Sequence, residues 1–167
     1  MEDLKRVKDE RGAIPGLPLE LIVIALVVIL SVPMIWNFAS IYSEDQLDRN
    51  VRQELEGLKE TIAEVYEGGV NEKRVVSIEI GQNPFSRLEY IEIGGPLNNK
   101  ESRSLRYRID GNSERRLNLG EIQVANMSKD EGTDTLRLIS NHNDIIVRKF
   151  VSQGEEFIEV GTTVGGV

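Results

Sequence analysis

The sequence predicts an α+β protein: one long N-terminal helix, membrane-spanning and then amphipathic, followed by an antiparallel β-sandwich-like domain. Three observations carry that reading. Residues 17–39 form one apolar run, LPLELIVIALVVILSVPMIWNFA. An apolar stripe at helical period follows it, from Leu47 to Val65. From Lys73 onward the apolar period changes to two.

The apolar run comes first. About twenty consecutive apolar residues suffice to cross a bilayer as a helix, and a chain of 167 residues has no core large enough to bury such a segment otherwise. Between Leu21 and Trp36 there is no charged residue, and Glu20 alone interrupts the start of the run. The run is longer than the apolar part of a secretory signal and has no A-x-A cleavage pattern behind it. It ends in Trp36, Asn37 and Phe38, the composition of a membrane interface. The sequence therefore predicts a helix that is retained.

Charge orients it. The leader, residues 1–16, balances Lys5, Arg6, Lys8 and Arg11 against Glu2, Asp3, Asp9 and Glu10. Of the net charge of −8, Glu20 carries one unit and the residues beyond the span carry −7. Basic residues near the span, rather than net charge, set topology, and four lie just before it. On the other side Arg49, Arg52 and Lys59 stand among Glu44, Asp45 and Asp48. The N-terminus is expected in the cytoplasm and the following domain outside. An acidic ectodomain argues against nucleic acid or anionic lipid as the main partner.

Beyond the span the helix is expected to continue over residues 40–67. Leu47, Val51, Leu55, Leu58, Ile62 and Val65 step by three and four, one stripe of a helix. Asp48, Arg49, Gln53, Glu56, Glu60 and Glu64 occupy the other face, and Gly68-Gly69 closes the element. The stripe runs for fewer than three heptads, so packing on the following sheet is favoured over a coiled coil. The helix is expected to bend or break at Pro33, which removes a hydrogen bond, and to loosen near Ser40–Ser43.

Residues 73–161 then alternate: Val76, Ile78 and Ile80; Ile91 and Ile93; Leu105, Tyr107 and Ile109; Leu117 and Leu119; Ile122 and Val124; Leu136 and Leu138; Ile145 and Val147; Ile158 and Val160. Turns rich in Gly, Asn and Asp separate them, among them Gly94-Gly95-Pro96 and Asp110-Gly111-Asn112. Short strands with turn signals between them predict an antiparallel sandwich or small barrel. Residues 162–167 are read as a tail.

The leader Lys8-Asp9-Glu10-Arg11-Gly12-Ala13, set just ahead of the apolar helix, resembles the class III signal peptide of archaeal type IV pilin-like proteins. The resemblance spans about forty residues. A long helix followed by a β-domain is also the pilin plan, and Leu88-Glu-Tyr-Ile-Glu-Ile-Gly-Gly95 looks similar to the β-domains of archaeal pilin-like secreted proteins. The resemblance implies a prepilin peptidase that recognises Arg11-Gly12, cuts after Gly12 and leaves Ala13 as the new N-terminus. Because Ala13 to Pro18 is rich in Pro and Gly, cleavage after Gly16 is an alternative. The retained helix would then pack with other pilin-like subunits in a filament core at the cell surface.

Two residues in the span bear on that assembly. Glu20 either sits near the cytoplasmic interface, favoured there by the helix dipole, or pairs with the free N-terminal amine of a neighbouring subunit. It stands at a different offset from the glutamate of many pilins. Pro33 marks a position where such helices often bend, although ordinary spans carry proline too.

The search for chemistry returns little. There is no cysteine and one histidine, His142, in an Asn-His-Asn-Asp turn, so no zinc set can be assembled. No nucleophile elbow, P-loop or dinucleotide fingerprint is present. Residues 129–134 are acidic but lack the ligand spacing of an EF-hand. Asn126-Met127-Ser128 is a glycosylation sequon, usable if the domain is extracytoplasmic. The expected function is structural, with no catalysis and no cofactor. The chain reads as a subunit, a minor pilin or pseudopilin, of an archaeal type IV pilus-like filament. The alternative is an uncleaved single-pass ectodomain, an accessory or stator-like part of a surface machine.

Overall fold

The computed structural model describes residues 18–81, 84–127, 135–139, 142–152 and 154–163. Helix α1 (Leu19–Glu67) leads into strands β1 (Lys73–Glu79), β2 (Leu88–Ile93), β3 (Ser104–Ile109), β4 (Arg115–Asn118), β5 (Val124–Asn126), β6 (Leu136–Leu138), β7 (His142–Ser152) and β8 (Glu155–Thr162). A short 3-10 turn, Lys100–Arg103, precedes β3 and left no mark in the sequence pattern. The α+β class therefore holds. The chain divides into two compact units at Ala39/Ser40.

α1 is helical without interruption through Pro33 and through Ser40–Ser43, where the sequence suggested a break or a loosening. A proline deletes only its own N–H, and the bonds on either side keep the neighbouring turns helical.

In the second unit the strands form two sheets, ordered β1-β7-β8-β5 and β4-β3-β2-β6. Alternation decides the faces. Ile91 and Ile93 of β2, Leu105 and Tyr107 of β3, and Leu136 and Leu138 of β6 point into the core. Val76 and Ile78 of β1, Ile145 and Val147 of β7, and Ile158 and Val160 of β8 do the same from the other sheet. The apolar stripe of α1 completes this core: Leu47, Val51, Leu55, Leu58, Ile62 and Val65 are each exposed by 2% or less. The stripe packs on sheet, as its short length suggested, and it meets both sheets. On one side Glu64 pairs with Arg74 of β1, and the Glu79 amide donates to Glu54 at 3.4 Å. On the other the Tyr107 hydroxyl of β3 donates to Asp48 at 2.6 Å.

One pairing departs from the expected antiparallel arrangement. β5 lies parallel to β8, with Val124 opposite Ile158. Three alternating residues carry no information about direction, which depends on where the chain enters. Entry is set at Gly94-Gly95, where the Gly95 amide donates to the Val124 carbonyl at 3.1 Å. Gly94 has φ +71°, and a Cβ there would lie 2.3 Å from that carbonyl oxygen, so only glycine permits this approach. Asp110-Gly111 is a different case. Both residues have positive φ, and the Asn112 amide donates to Ile109 at 2.9 Å, the tight hairpin turn that joins β3 to β4.

The C-terminus of α1 is closed by a distant side chain. Lys149, on β7, points inward with 6% exposure, and its Nζ donates to the carbonyls of Tyr66 at 2.7 Å and Gly68 at 3.2 Å. Glu156 lies 3.0 Å from the same ammonium. A cation at the last carbonyls satisfies acceptors that the helix cannot satisfy itself.

Truncating the stripe tests this core. Leu58→Ala should lower unfolding free energy by about 2–5 kcal/mol, whereas the exposed neighbour change Glu60→Ala should stay within about 0.5 kcal/mol. Denaturant unfolding of the detergent-solubilised chain, followed by circular dichroism, measures both.

Candidate membrane segment and polar network

The first functional feature is the apolar part of α1. Within it, an 18-residue window has a mean hydropathy of 2.6, and none of that window is buried. Every large apolar side chain from Leu19 to Phe38 keeps 49–77% of its surface exposed. This segment is long enough and apolar enough to cross a membrane, since about twenty residues rising 1.5 Å each cover about 30 Å. Apolar residues lie on all its sides, so no single stripe selects a partner.

The sequence-predicted residues fall on it as follows. Pro18 opens the helix, its carbonyl accepting from Leu21 at 2.8 Å and from Ile22 at 3.4 Å. Glu20 stands in the first turn and is exposed, where the positive end of the helix dipole favours a carboxylate. Pro33 lies inside the helix, and two residues earlier the Ser31 hydroxyl donates to the Val27 carbonyl at 2.6 Å. Arg11, Gly12, Ala13 and Gly16, where processing is expected, lie outside the described residues, as does the acidic stretch 129–134.

The domain carries a polar network that sequence reasoning missed. Asp48 looked like a solvent-face residue. It is instead half-buried, accepting from the Tyr107 hydroxyl and paired with Arg115 at the start of β4. One turn earlier Glu44 accepts from Asn112 at 2.7 Å and faces Arg115 at 3.5 Å. Residues 44–48 of α1 are thereby tied to β3, β4 and the hairpin between them. The available signal was weak: Tyr107 is the one residue with a polar tip in the inward phase of β3, and a buried tyrosine hydroxyl needs a partner.

Burial pushes the Tyr107 phenol up to about 12 from its ordinary 10.0, reinforced by the hydrogen bond to Asp48. Ionised, it would sit buried beside a carboxylate. Tyr90, on the opposite face of the second sheet, is raised by burial as well.

The remaining candidates are dispersed. Asn126 closes β5, half-buried, its side-chain amide donating to the Thr135 carbonyl at 3.3 Å. His142 opens β7 with its side chain 64% exposed, 3.9 Å from Asp144. Among the described residues no group of three His, Cys, Asp or Glu is placed to hold a metal ion. Comparison of the chain with protein-family models, with curated proteins and with solved structures returns no match.

The Tyr107 hydroxyl gives a signed pH dependence. Its folded-state value lies above the unfolded one, so the protonated phenol contributes stability fully below pH 10 and loses it as pH rises through about 12. Tyr107→Phe should cost about 1.5–3 kcal/mol at neutral pH, the range for a hydrogen bond to a charged group. The gap between wild type and variant should shrink across that alkaline window in paired denaturant titrations. A gap independent of pH there would contradict the buried Tyr107–Asp48 bond.

Proposed function

We propose that this protein is a structural subunit of an archaeal type IV pilus-like surface filament, a minor pilin or pseudopilin, assembling through its N-terminal apolar helix. One observation carries the reading. Among the described residues nothing buries the apolar window of α1, whereas the amphipathic part is the backbone of a folded β-domain's core. A surface of that kind requires lipid or other copies of such helices around it, and a filament supplies both in turn. The charged leader, the Arg11-Gly12 pair and the order of helix before β-domain support it further.

On this reading the chain enters the membrane once, with the leader in the cytoplasm and the β-domain outside. A prepilin peptidase removes residues 1–12, or 1–16 if Gly16 is the cleavage point. Other pilin-like subunits then surround the helix, and Glu20 meets the new amine of a neighbour. The subunit acts by assembly, without cofactor or catalysis.

The mature N-terminus decides the matter. Co-expressed with a prepilin peptidase, the wild-type chain should begin at Ala13 or Leu17 by terminal sequencing, and Gly12→Val should abolish cleavage at the first site while leaving membrane insertion intact. Glu20→Ala should reduce incorporation into filaments without altering expression. Retention of Met1 in every condition would leave the uncleaved, membrane-anchored ectodomain as the better reading.

A further inference from the structure

Two surfaces of the domain carry charge that folding does not call for, and they have opposite sign. The first is the outer face of the β4-β3-β2-β6 sheet. Register places Arg116 opposite Arg106, Arg106 opposite Glu92 and Glu92 opposite Arg137, one row across all four strands. Three guanidiniums thus share the row with one carboxylate, which lies 3.3 Å from Arg106 and 3.9 Å from Arg137, while Glu101 and Glu114 from outside the row pair with Arg106 at 3.7 Å and Arg116 at 3.4 Å. Like charges directly opposite in a ladder destabilise it. Beside the row, Tyr90 faces Arg108. The Tyr90 ring holds two guanidiniums, Arg137 at 4.5 Å and Arg108 at 5.3 Å from its centre. Tyr90 is buried yet stands outside the hydrophobic core cluster. Arg108 has no carboxylate in ion-pair range among the described residues, and its Nε has no hydrogen-bond partner. All this belongs to a protein of net charge −8.

The second surface is the exposed face of α1. Glu56, Glu60 and Glu64 follow one another at i, i+4 and i+8, all exposed, and Glu67 adds a fourth acid in the last turn. Like charges at that spacing repel, and a carboxylate at a helix C-terminus opposes the dipole. Arg52 relieves Glu56 and Arg74 relieves Glu64, whereas Glu60 makes no ion pair among the described residues. Arg52 and Lys59 of α1 and Arg116 of β4 border the same groove as Glu56 and Glu60. The positive charge with no carboxylate or only a shared one lies farther across the sheet, at Arg108 and at Arg137, which shares Glu92 with Arg106.

We infer that the acidic ridge of α1 around Glu60 docks on the Arg108–Tyr90–Arg137 face of a second copy of this chain. The inference rests on the filament reading and deepens it by naming a contact outside the membrane helix. Guanidiniums stacked on a ring are oriented before binding and match carboxylates in a fork geometry. The ridge and the arginine face are different surfaces of one domain. Made in one direction only, such a contact is head-to-tail and repeats from copy to copy without closing unless the rotation makes a ring.

The absence of cysteine makes the test clean. Two single-cysteine full-length chains are prepared in detergent: Gly57→Cys, where an added Cβ meets nothing within 4 Å, and Ile139→Cys, 68% exposed beside Arg137. Mixed and treated with a short bifunctional thiol reagent, they should give a cross-linked dimer whose yield falls as salt rises. Arg137→Glu in the second chain should abolish the dimer, as should Glu60→Arg in the first. Combining the two reversals should restore it, which separates a charge contact from damage to either fold. A dimer indifferent to both reversals overturns the inference. Processed chains that oligomerise without this cross-link overturn the contact and leave the filament reading standing; chains neither processed nor oligomeric overturn both. Retention on an acidic polysaccharide that depends on Arg137, with no cross-link between chains, overturns the second copy as occupant.

Discussion

Burial of the α1 stripe in a core shared by two sheets is the constraint on which the rest of the domain depends. Neither sheet closes on itself. Each has β-strands with one apolar face, and those faces need a third element to exclude water. Leu47 to Val65 supplies it, its side chains joining those of β1, β7 and β8 and of β2, β3 and β6 in one buried cluster. Hydrophobic burial has no direction, so polar contacts fix where the helix lies. The Asp48–Tyr107–Arg115 group holds it near the β3–β4 hairpin, and Lys149 closes its far end. Losing the helix would expose both sheets at once, which makes the domain one cooperative unit instead of two layers with separate stabilities.

The same helix changes character along its length. As far as Phe38 its large apolar side chains lie on every side and are exposed among the described residues. From Leu47 onward the side chains divide into a buried stripe and a charged face. Contiguous exposed apolar surface of that extent favours association or membrane insertion. The proposed filament and an anchored ectodomain both answer that requirement, and they differ in whether the final neighbour is protein or lipid. That difference turns on chemistry at the leader, not on the fold of the β-domain.

Charge is distributed with more structure than a net value conveys. Some arginines are taken up by the fold: Arg106 is 7% exposed and donates to the Gly94 carbonyl, and the partly exposed Arg115 serves Asp48 and Glu44. Others, such as Arg137, stay at the surface against an aromatic ring. Cross-strand register, invisible in composition, decides which arginines oppose a carboxylate and which oppose one another.

Period and turn chemistry were legible from the sequence alone. The apolar run, the helical stripe from Leu47 to Val65 and the alternation of each strand all report which face avoids water, a local property set by spacing. Gly94-Gly95 and Asp110-Gly111 announced their turns because few residues tolerate positive φ. Tertiary structure alone decided the rest. The parallel placement of β5, the pairing of Asp48 with Tyr107 and the reach of Lys149 to the helix C-terminus join residues distant in sequence. Hydrophobic patterning specifies inside and outside but not which neighbour is met there. Three-dimensional entry points and buried polar atoms that must find partners settle that choice.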